Sequence, residues 1–178
     1  MARKTFNRDL GITDWKQAEK PWGKEYTSCG QTMADEGCII TSVAMIFDSF
    51  GDDVDPYSLL EKLKKSGNDC DFNWSAAATG YKHKYKGKKS GNFNSIKADI
   101  FDLVVTDRVP VMVRVPGHTV VVTGFRGTLS VDTDGEPYYT EIDADMFLVN
   151  DPGYKKHTTL QDVIDKRGKV EYFNYYLD

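Results

Sequence analysis

The sequence predicts an α+β fold, in which helices come first along the chain and antiparallel strands follow. Three observations support this: an apolar helical segment begins at Cys38, a well-capped helix follows Asp55, and the second half of the chain consists of short apolar runs between turn residues. Helices and strands that are segregated in this way are typical of the α+β class. The 178 residues contain no internal repeat and no proline-rich linker, so we expect a single domain over residues 1–178.

The first 37 residues are rich in glycine, lysine, aspartate and aromatic side chains and show no helical periodicity. We expect residues 1–37 to form an irregular arm that wraps the domain. The pattern changes at Cys38, because apolar side chains of Cys38–Phe50 cover most of the circumference of a helix, and Gly51 offers a C-terminal cap. A helix that is apolar nearly all round is expected to be central and buried.

Two more helices are predicted before the main group of strands. Asp55 is a favourable N-cap, Pro56 fits the first helical position, and Gly67 fits the end of the helix. The next helix is predicted to begin at Ser95, since apolar side chains recur on one face from Ile96 onward. Each is expected to turn its apolar face inward.

The second half of the chain has the apolar runs and turn residues of antiparallel strands. Pro116-Gly117 and Asp134-Gly135 each separate two such runs and predict hairpins, and a helix is expected near Thr159–Lys166. The predicted strands are Val109–Val115, His118–Phe125, Leu129–Asp132, Tyr138–Ile142, Met146–Asn150 and Val170–Leu177.

The segment Tyr81–Lys89 alternates aromatic or histidine side chains with lysines. This period of two predicts a strand with its aromatic side chains inward and its lysines outward. Lysines on an edge strand oppose aggregation through strand pairing. The basic residues Lys82–Lys89 also leave a second interpretation open, a docking patch for an anionic polymer.

Charge and composition exclude several classes of partner. With 23 basic and 27 acidic residues the net charge is −4, so the chain lacks the overall field that favours nucleic acid or an anionic membrane. We expect no nucleic-acid partner and no membrane insertion, because no apolar run is long enough to cross a bilayer. No secretory signal follows the basic N-terminal residues, which predicts a cytoplasmic protein, or one released by lysis or carried in a virion.

The three cysteines are an odd number and do not indicate a disulfide framework, so each is expected to be a free thiol. The chain has no Cys-x-x-Cys motif and its three histidines lie far apart, so we predict no metal site and no cofactor. The acidic segment Asp132–Glu136 leaves a calcium loop open, but it lacks the full ligand series of an EF-hand, and acidic residues with glycine also suit a hairpin turn.

Cys38 is the cysteine best placed for nucleophilic catalysis. At the start of a helix it lies at the positive end of the helix dipole, which favours the thiolate. Gly37 would let a substrate carbonyl approach the backbone closely. The alternative is that Cys38 is a small core side chain, as many free cysteines are. Cys29 and Cys70 lie in irregular or polar segments without an activating feature.

A nucleophilic cysteine needs a base, and the base needs an orienting acceptor. His118 opens an apolar strand after a turn, whereas His83 and His157 lie among lysines and are predicted at the surface. Asp151 ends a strand and is the predicted acceptor. Asn150 remains a rival, because adjacent strand residues point to opposite faces and only one can reach the ring. Asp151 as a simple turn cap also stays open.

Assembled in order, these segments resemble the papain-like cysteine peptidases of the C-thirty-nine-like group, which are relatives of the domains that trim double-glycine leaders in bacteriocin exporters. The resembling segments are Gln17–Trp22, Tyr26, Gly37–Met45, Val54–Pro56, Trp74, Val109–Val111, His118–Gly124 and Asn150–Pro152. The resemblance implies a papain-like fold, with a central helix that contains the cysteine packed on an antiparallel sheet that contains the histidine and aspartate.

The resemblance also implies a role for each candidate residue. Cys38 matches the nucleophile, His118 the base and Asp151 the orienting carboxylate. Gln17 matches the donor to the oxyanion, an assignment that rests on the resemblance alone. The chain departs from the family in having Glu19 where an aspartate often stands two residues after the glutamine, which bears on how the arm is anchored.

Such a triad implies hydrolysis of an amide through a thioester intermediate, without a cofactor. The expected substrates are peptides, either protein tails or the peptides of peptidoglycan cut by a bacterial or phage enzyme. A different class also fits the sequence, a papain-like fold kept as a binding or inhibitory module without turnover.

Overall fold

A computed structural model describes residues 2–178 and has the predicted α+β architecture, with helices packed on an antiparallel sheet. Its helices are α1 (Met33–Glu36), α2 (Cys38–Ser49), α3 (Pro56–Ser66), α4 (Trp74–Tyr81), α5 (Phe93–Phe101) and α6 (Leu160–Arg167). Its strands are β1 (Ala2–Asp9), β2 (Lys84–Ser90), β3 (Val111–Val115), β4 (His118–Val131), β5 (Phe147–Asn150) and β6 (Tyr172–Leu177). Short 3-10 or π turns lie at Trp22–Lys24, Asp102–Thr106, Tyr139–Glu141 and Ala144–Met146.

The sheet has the strand order β1-β4-β3-β6-β2, and β5 pairs with β4 outside this path. Both faces of its central strands are covered. Val113 and Val120 pack in one apolar layer with α5 and α6, while Met112 and Val121 pack in a second layer with α2 and α3. Strands buried on both faces are apolar throughout rather than alternating. The predicted papain-like arrangement, a central helix on an antiparallel sheet, is therefore confirmed.

The helices predicted at Cys38 and Asp55 form where the sequence places them. Apart from Ile39 and the last two residues, the side chains of α2 are buried. Asp55 caps α3 through a reciprocal pair of hydrogen bonds with Ser58, and Gly67 ends α3 with a left-handed φ of 71°.

The prediction of an irregular arm over residues 1–37 is wrong for its first residues. Ala2–Asp9 form β1, which pairs antiparallel with the second half of β4, from Val131 back to Gly124. The side chains of β1 are mostly exposed or half-buried, so this strand lacks the apolar run by which strands are recognised. Its backbone hydrogen bonds to β4 define it instead.

The predicted hairpin around Asp134-Gly135 is also corrected. Its first strand is the continuation of β4, which runs to Val131. Residues 138–142 form no strand: Pro137 makes an isolated bridge to Val131, and a 3-10 turn follows. The carboxylate of Asp132 accepts hydrogen bonds from the backbone N–H groups of Asp134 and Glu136, as in a tight polar turn.

Two element boundaries differ from prediction around residues 74–95. Trp74–Tyr81 form α4, and β2 begins only at Lys84, although exposure alternates from Tyr81 onward as expected. α5 begins at Phe93 rather than Ser95, because the Asn92 side chain caps it. Over residues 2–178, the helices lack the combination of length and apolarity that crossing a bilayer requires.

Candidate active site

Cys38 is the first residue of α2. The residue is 7% exposed, and its side chain is directed toward the end of the sheet where β4 begins. α1 ends immediately before it, at Glu36. A side chain at Gly37 would approach the Met33 carbonyl oxygen to 2.5 Å, so only glycine permits the tight passage from α1 into α2. The structure thus gives Gly37 a packing reason, and the approach of a substrate carbonyl to its backbone stays a prediction.

His118 is held at the start of β4 by a two-residue turn. Pro116-Gly117 joins β3 to β4, and Gly117 has a φ of 69°, which suits glycine at the third position of a type II turn. β5 pairs with β4 so that Val121 lies opposite Asn150. This register brings Asp151, the residue after β5, close to His118, the first residue of β4.

Asp151 therefore lies against His118. Oδ1 of Asp151 is 2.6 Å from Nε2 of His118, and both side chains are buried. The same oxygen accepts a hydrogen bond from the Gly153 backbone N–H at 2.8 Å. Asn150 points to the other side, where its amide donates to the backbone oxygens of Ile12 and Thr13. Of the two rivals, Asp151 is the one in contact with the imidazole.

The negatively charged thiolate of Cys38 and the positively charged imidazolium of His118 stabilise each other. Burial alone would lower the pKa of His118, but hydrogen bonds to Asp151 and Cys38 raise it to about 9. Burial would likewise raise the pKa of the Cys38 thiol, but the hydrogen bond and charge of His118, with smaller effects of the Thr119 backbone and the Arg114 charge, together lower it. Since Asp151 occupies Nε2, the ring nitrogen that remains for the sulfur is Nδ1. At neutral pH the arrangement favours a thiolate beside an imidazolium.

Gln17 is buried in the segment that precedes α1. Its backbone N–H donates to the Pro152 carbonyl oxygen at 2.9 Å, which ties this segment to the turn after Asp151. Its side-chain Nε2 donates to the Ala34 carbonyl oxygen at 2.9 Å, and a second N–H of that amide remains. Glu19 anchors the same segment by accepting the Lys16 backbone N–H. Gln17 and His118 both line a cleft of about 340 Å³.

The two histidines predicted at the surface are both in polar contacts. His157 Nδ1 lies 2.7 Å from Oδ2 of Asp151, so the carboxylate is held between two imidazoles. His83 packs between Phe47 and Phe50, and its ring nitrogens contact the carboxylates of Asp52 and Asp178. Neighbouring lysines made both look exposed, and no local pattern in the sequence indicates these long-range pairings.

The expectation of three free thiols is wrong for two of them. Cys29 and Cys70 form a disulfide with their Cα atoms 5.5 Å apart, and among the described residues only Cys38 is free. Ser28 donates its backbone N–H to the Asp69 carboxylate and so helps align the two segments. In residues 2–178 the one clustering of three metal-ligating groups comprises these cysteines and Asp71, and the disulfide already occupies both sulfurs.

Arg114 is a residue of the site that sequence reasoning missed. It lies on β3, and its Nη1 is 4.0 Å from the Cys38 sulfur. A signal for it was available, because Arg114 is the one charged residue in the otherwise apolar strand Val111–Val115. A charge within a buried strand calls for a partner or a function.

Comparison with known proteins identifies the family. The model of the Peptidase_C39 like family matches residues 15–177, which include every candidate residue described above. No curated protein and no solved structure matches the chain. Since the family match extends over nearly the whole chain and agrees with the fold, the chain belongs to the Peptidase_C39 like family.

Proposed function

We propose that this peptidase is a cysteine hydrolase that cleaves an amide bond through a thioester, with Cys38 as nucleophile and His118 as base. The observation that carries the proposal is the buried contact of His118 with Asp151, made beside a thiol at the N-terminus of α2. This contact supplies the charged form of the imidazole that a neighbouring thiolate needs.

The proposed reaction begins with the thiolate. Its sulfur attacks the amide carbonyl carbon and forms a tetrahedral intermediate whose oxyanion receives hydrogen bonds from the Cys38 backbone N–H and the Gln17 amide. The Cys38 N–H is available because the first N–H groups of a helix have no partner within it. The intermediate then collapses, the C–N bond breaks, and His118 gives its proton to the leaving amine.

Water completes the cycle. His118, now neutral, accepts a proton from a water molecule, which attacks the thioester carbonyl. The C–S bond breaks, the carboxylic acid leaves, and the thiolate–imidazolium pair is restored. Asp151 keeps the ring in place and stabilises its cationic form throughout, without taking the proton itself.

The disulfide bears on where and on what the enzyme acts. Disulfides persist in oxidising surroundings and are rare in a reducing cytoplasm. The Cys29–Cys70 bond therefore favours action outside a reducing cytoplasm, as in the expected alternative of release by lysis or carriage in a virion, over a cytoplasmic location. Of the two substrate classes, this favours the peptides of peptidoglycan over cytoplasmic protein tails.

The second candidate function is a papain-like fold that binds without turnover. One observation favours it: the Gln17 amide donates one N–H to the Ala34 carbonyl oxygen, which turns this N–H away from a substrate.

To distinguish the hydrolase from the binding module, wild type and Cys38→Ala are incubated with purified peptidoglycan and with a peptide library, and the products are identified by mass spectrometry. Cleavage by wild type alone supports the hydrolase, whereas intact substrates that bind both proteins support the silent module.

A further inference from the structure

Arg114 belongs to a row of side chains in front of the proposed nucleophile. In the sheet it lies in register with Thr119 of β4 on one side and with Tyr172 of β6 on the other. Met112, two residues before Arg114, packs in the apolar layer of α2. Since residues two apart in a strand share a face, the row Thr119–Arg114–Tyr172 lies on the α2 face of the sheet, at the end of the helix where Cys38 stands.

Most N–H groups of the Arg114 guanidinium have no hydrogen-bond partner within residues 2–178. Nη1 donates to the Thr119 hydroxyl at 2.9 Å and lies 4.0 Å from the Cys38 sulfur. A guanidinium has five N–H donors, and none of the carboxylates in residues 2–178 forms an ion pair with this one. The side chain is half-buried. A partly desolvated arginine without an acidic partner is suited to a carboxylate that arrives with the substrate.

The surroundings of Arg114 fit the same ligand. Burial raises the pKa of Tyr172, although the neighbouring Arg114 charge opposes the rise. Tyr172 therefore stays a neutral phenol next to Arg114. The ammonium of Lys88 lies 4.6 Å from the centroid of the Tyr172 ring and 5.8 Å from that of Trp74. Lys88 would add a second positive charge for an anionic group, and the two aromatic rings would pack against its apolar stem.

A competing explanation is that Arg114 serves only to stabilise the thiolate. His118 already does this through a direct hydrogen bond and its charge, and the influence of Arg114 on the pKa of Cys38 is the weakest of the named causes. Thiolate stabilisation alone also leaves three of the five guanidinium N–H donors without a partner, since Nη1 serves the Thr119 hydroxyl and the Cys38 sulfur. The two explanations differ in their consequence: a thiolate effect acts on every electrophile alike, while a carboxylate site acts on anionic ones.

We propose that Arg114 binds a carboxylate of the substrate beside the scissile amide, so that the enzyme prefers anionic peptides. The proposal rests on the proposed function, since it takes Cys38 as the reacting atom. The carboxylate belongs either to an acidic side chain or to a free α-carboxyl group. Either would lie within a few ångströms of the thiolate, with Lys88 and the ring of Tyr172 as further contacts.

Two alkylating reagents of nearly equal size test the proposal without a known substrate. Iodoacetate is anionic and iodoacetamide is neutral, and alkylation of Cys38 by each is followed by intact mass. The ratio of the two rates removes any common effect on the thiolate. In Arg114→Gln, which keeps a donor for Thr119, the iodoacetate-to-iodoacetamide ratio should fall at least about 10-fold, the usual weight of a hydrogen bond to a charged group. Arg126→Gln, a variant of an exposed arginine on the same strand as Thr119, removes the same charge and should leave the ratio unchanged.

A second measurement uses the wild-type protein alone. N-acetylglutamate α-amide offers a side-chain carboxylate, N-acetylglutamine offers an α-carboxylate, and N-acetylglutamine amide is the neutral control. One of the two anions should slow iodoacetamide alkylation of Cys38 more than the neutral control does, and which one identifies the source of the carboxylate. Equal protection by all three, or an unchanged reagent ratio in Arg114→Gln, overturns the carboxylate site while Cys38 remains a nucleophile. If Cys38 reacts with neither reagent in the folded wild type, the proposed nucleophile fails and the subsite fails with it.

Discussion

Asp151 accepts from two histidines at once: its Oδ1 lies 2.6 Å from Nε2 of His118 and its Oδ2 lies 2.7 Å from Nδ1 of His157. The carboxylate is fully buried, and its hydrogen bonds to both rings lower its pKa against the opposing effect of burial. Because both of its oxygens are hydrogen-bonded, the Asp151 carboxylate has a fixed orientation. Its hydrogen bond to Nε2 therefore also fixes the orientation of the His118 ring.

The first prediction concerns Asp151 and its neighbour. Asp151→Ala should lower kcat/KM by roughly 100- to 10,000-fold, because His118 loses both its acceptor and its fixed orientation. Asp151→Asn keeps a carbonyl acceptor and should retain more activity than Asp151→Ala. Asn150→Ala is the matched control: it loses contacts to Ile12 and Thr13, costs about 1 kcal/mol of stability and leaves kcat/KM nearly unchanged. An inactive Asn150→Ala beside a fully active Asp151→Ala, both folded by circular dichroism, would reverse the assignment.

The second prediction concerns His157 as a positioning residue. His157→Ala should lower kcat about 10-fold with little change in KM, because Asp151 loses one of its anchors while the substrate site is untouched. His157→Asn places an amide N–H near the position of Nδ1 and should restore most of the loss. Steady-state kinetics with a cleaved peptide separates the two constants. Equal losses in both variants, or a change in KM alone, would leave His157 without this role.

The third prediction concerns Gln17. Gln17→Ala keeps the backbone hydrogen bond to Pro152 and should fold normally, yet lose roughly 100- to 1,000-fold in turnover, as expected when one oxyanion donor is removed. Glu19→Ala is the control, since it loosens the same segment without touching the oxyanion. Unchanged turnover in Gln17→Ala, or an equal loss in both variants, would make Gln17 an anchoring residue only.

The fourth prediction concerns the disulfide. Reduction of Cys29–Cys70, or the double variant Cys29→Ser with Cys70→Ser, should lower the free energy of unfolding by on the order of 3–4 kcal/mol, because the bond closes a long loop in the unfolded chain. Urea denaturation with and without reductant measures this difference. Peptide mapping without reductant should recover the two cysteines in one linked fragment. Recovery of both as free thiols from freshly purified protein would contradict the bond.

The fifth prediction is a pH profile of Cys38 alkylation. Because the pKa of Cys38 is lowered, the midpoint of the alkylation rate against pH should lie below the usual thiol value of about 8.5. In His118→Ala the opposing effect of burial remains without its counterweight, so the midpoint should move upward. The His118 imidazolium itself is lost as pH rises through about 9, so turnover, which needs this proton for the leaving amine, should fall there. An unshifted midpoint in His118→Ala would remove His118 as the cause.

Sequence reasoning succeeded where the signal was local. The helix at Cys38, the capped helix at Asp55 and the Pro116-Gly117 hairpin each depend on residues close together in the chain, and all three form. Gln17 became a candidate only through family resemblance, because no periodicity marks it.

The failures all involve partners far apart in the chain. β1 is recognisable only from its pairing with β4 more than a hundred residues later, since few of its own side chains are apolar. The Cys29–Cys70 bond and the contact of His157 with Asp151 likewise depend on how the chain folds back. Cysteine counts and flanking lysines contain no information about such pairings.

Covalent catalysis by Cys38 is tested by titrating this residue with iodoacetamide near pH 7 while hydrolysis of a cleaved substrate is followed. The alkylated residue is located by peptide mapping without reductant. If Cys38 is the nucleophile, one equivalent of reagent should modify it rapidly, and turnover should fall in proportion and reach zero when one equivalent has reacted. Turnover that survives full alkylation of Cys38, or a Cys38 that stays inert in the folded protein yet reacts once the chain is unfolded, would contradict covalent catalysis by this residue.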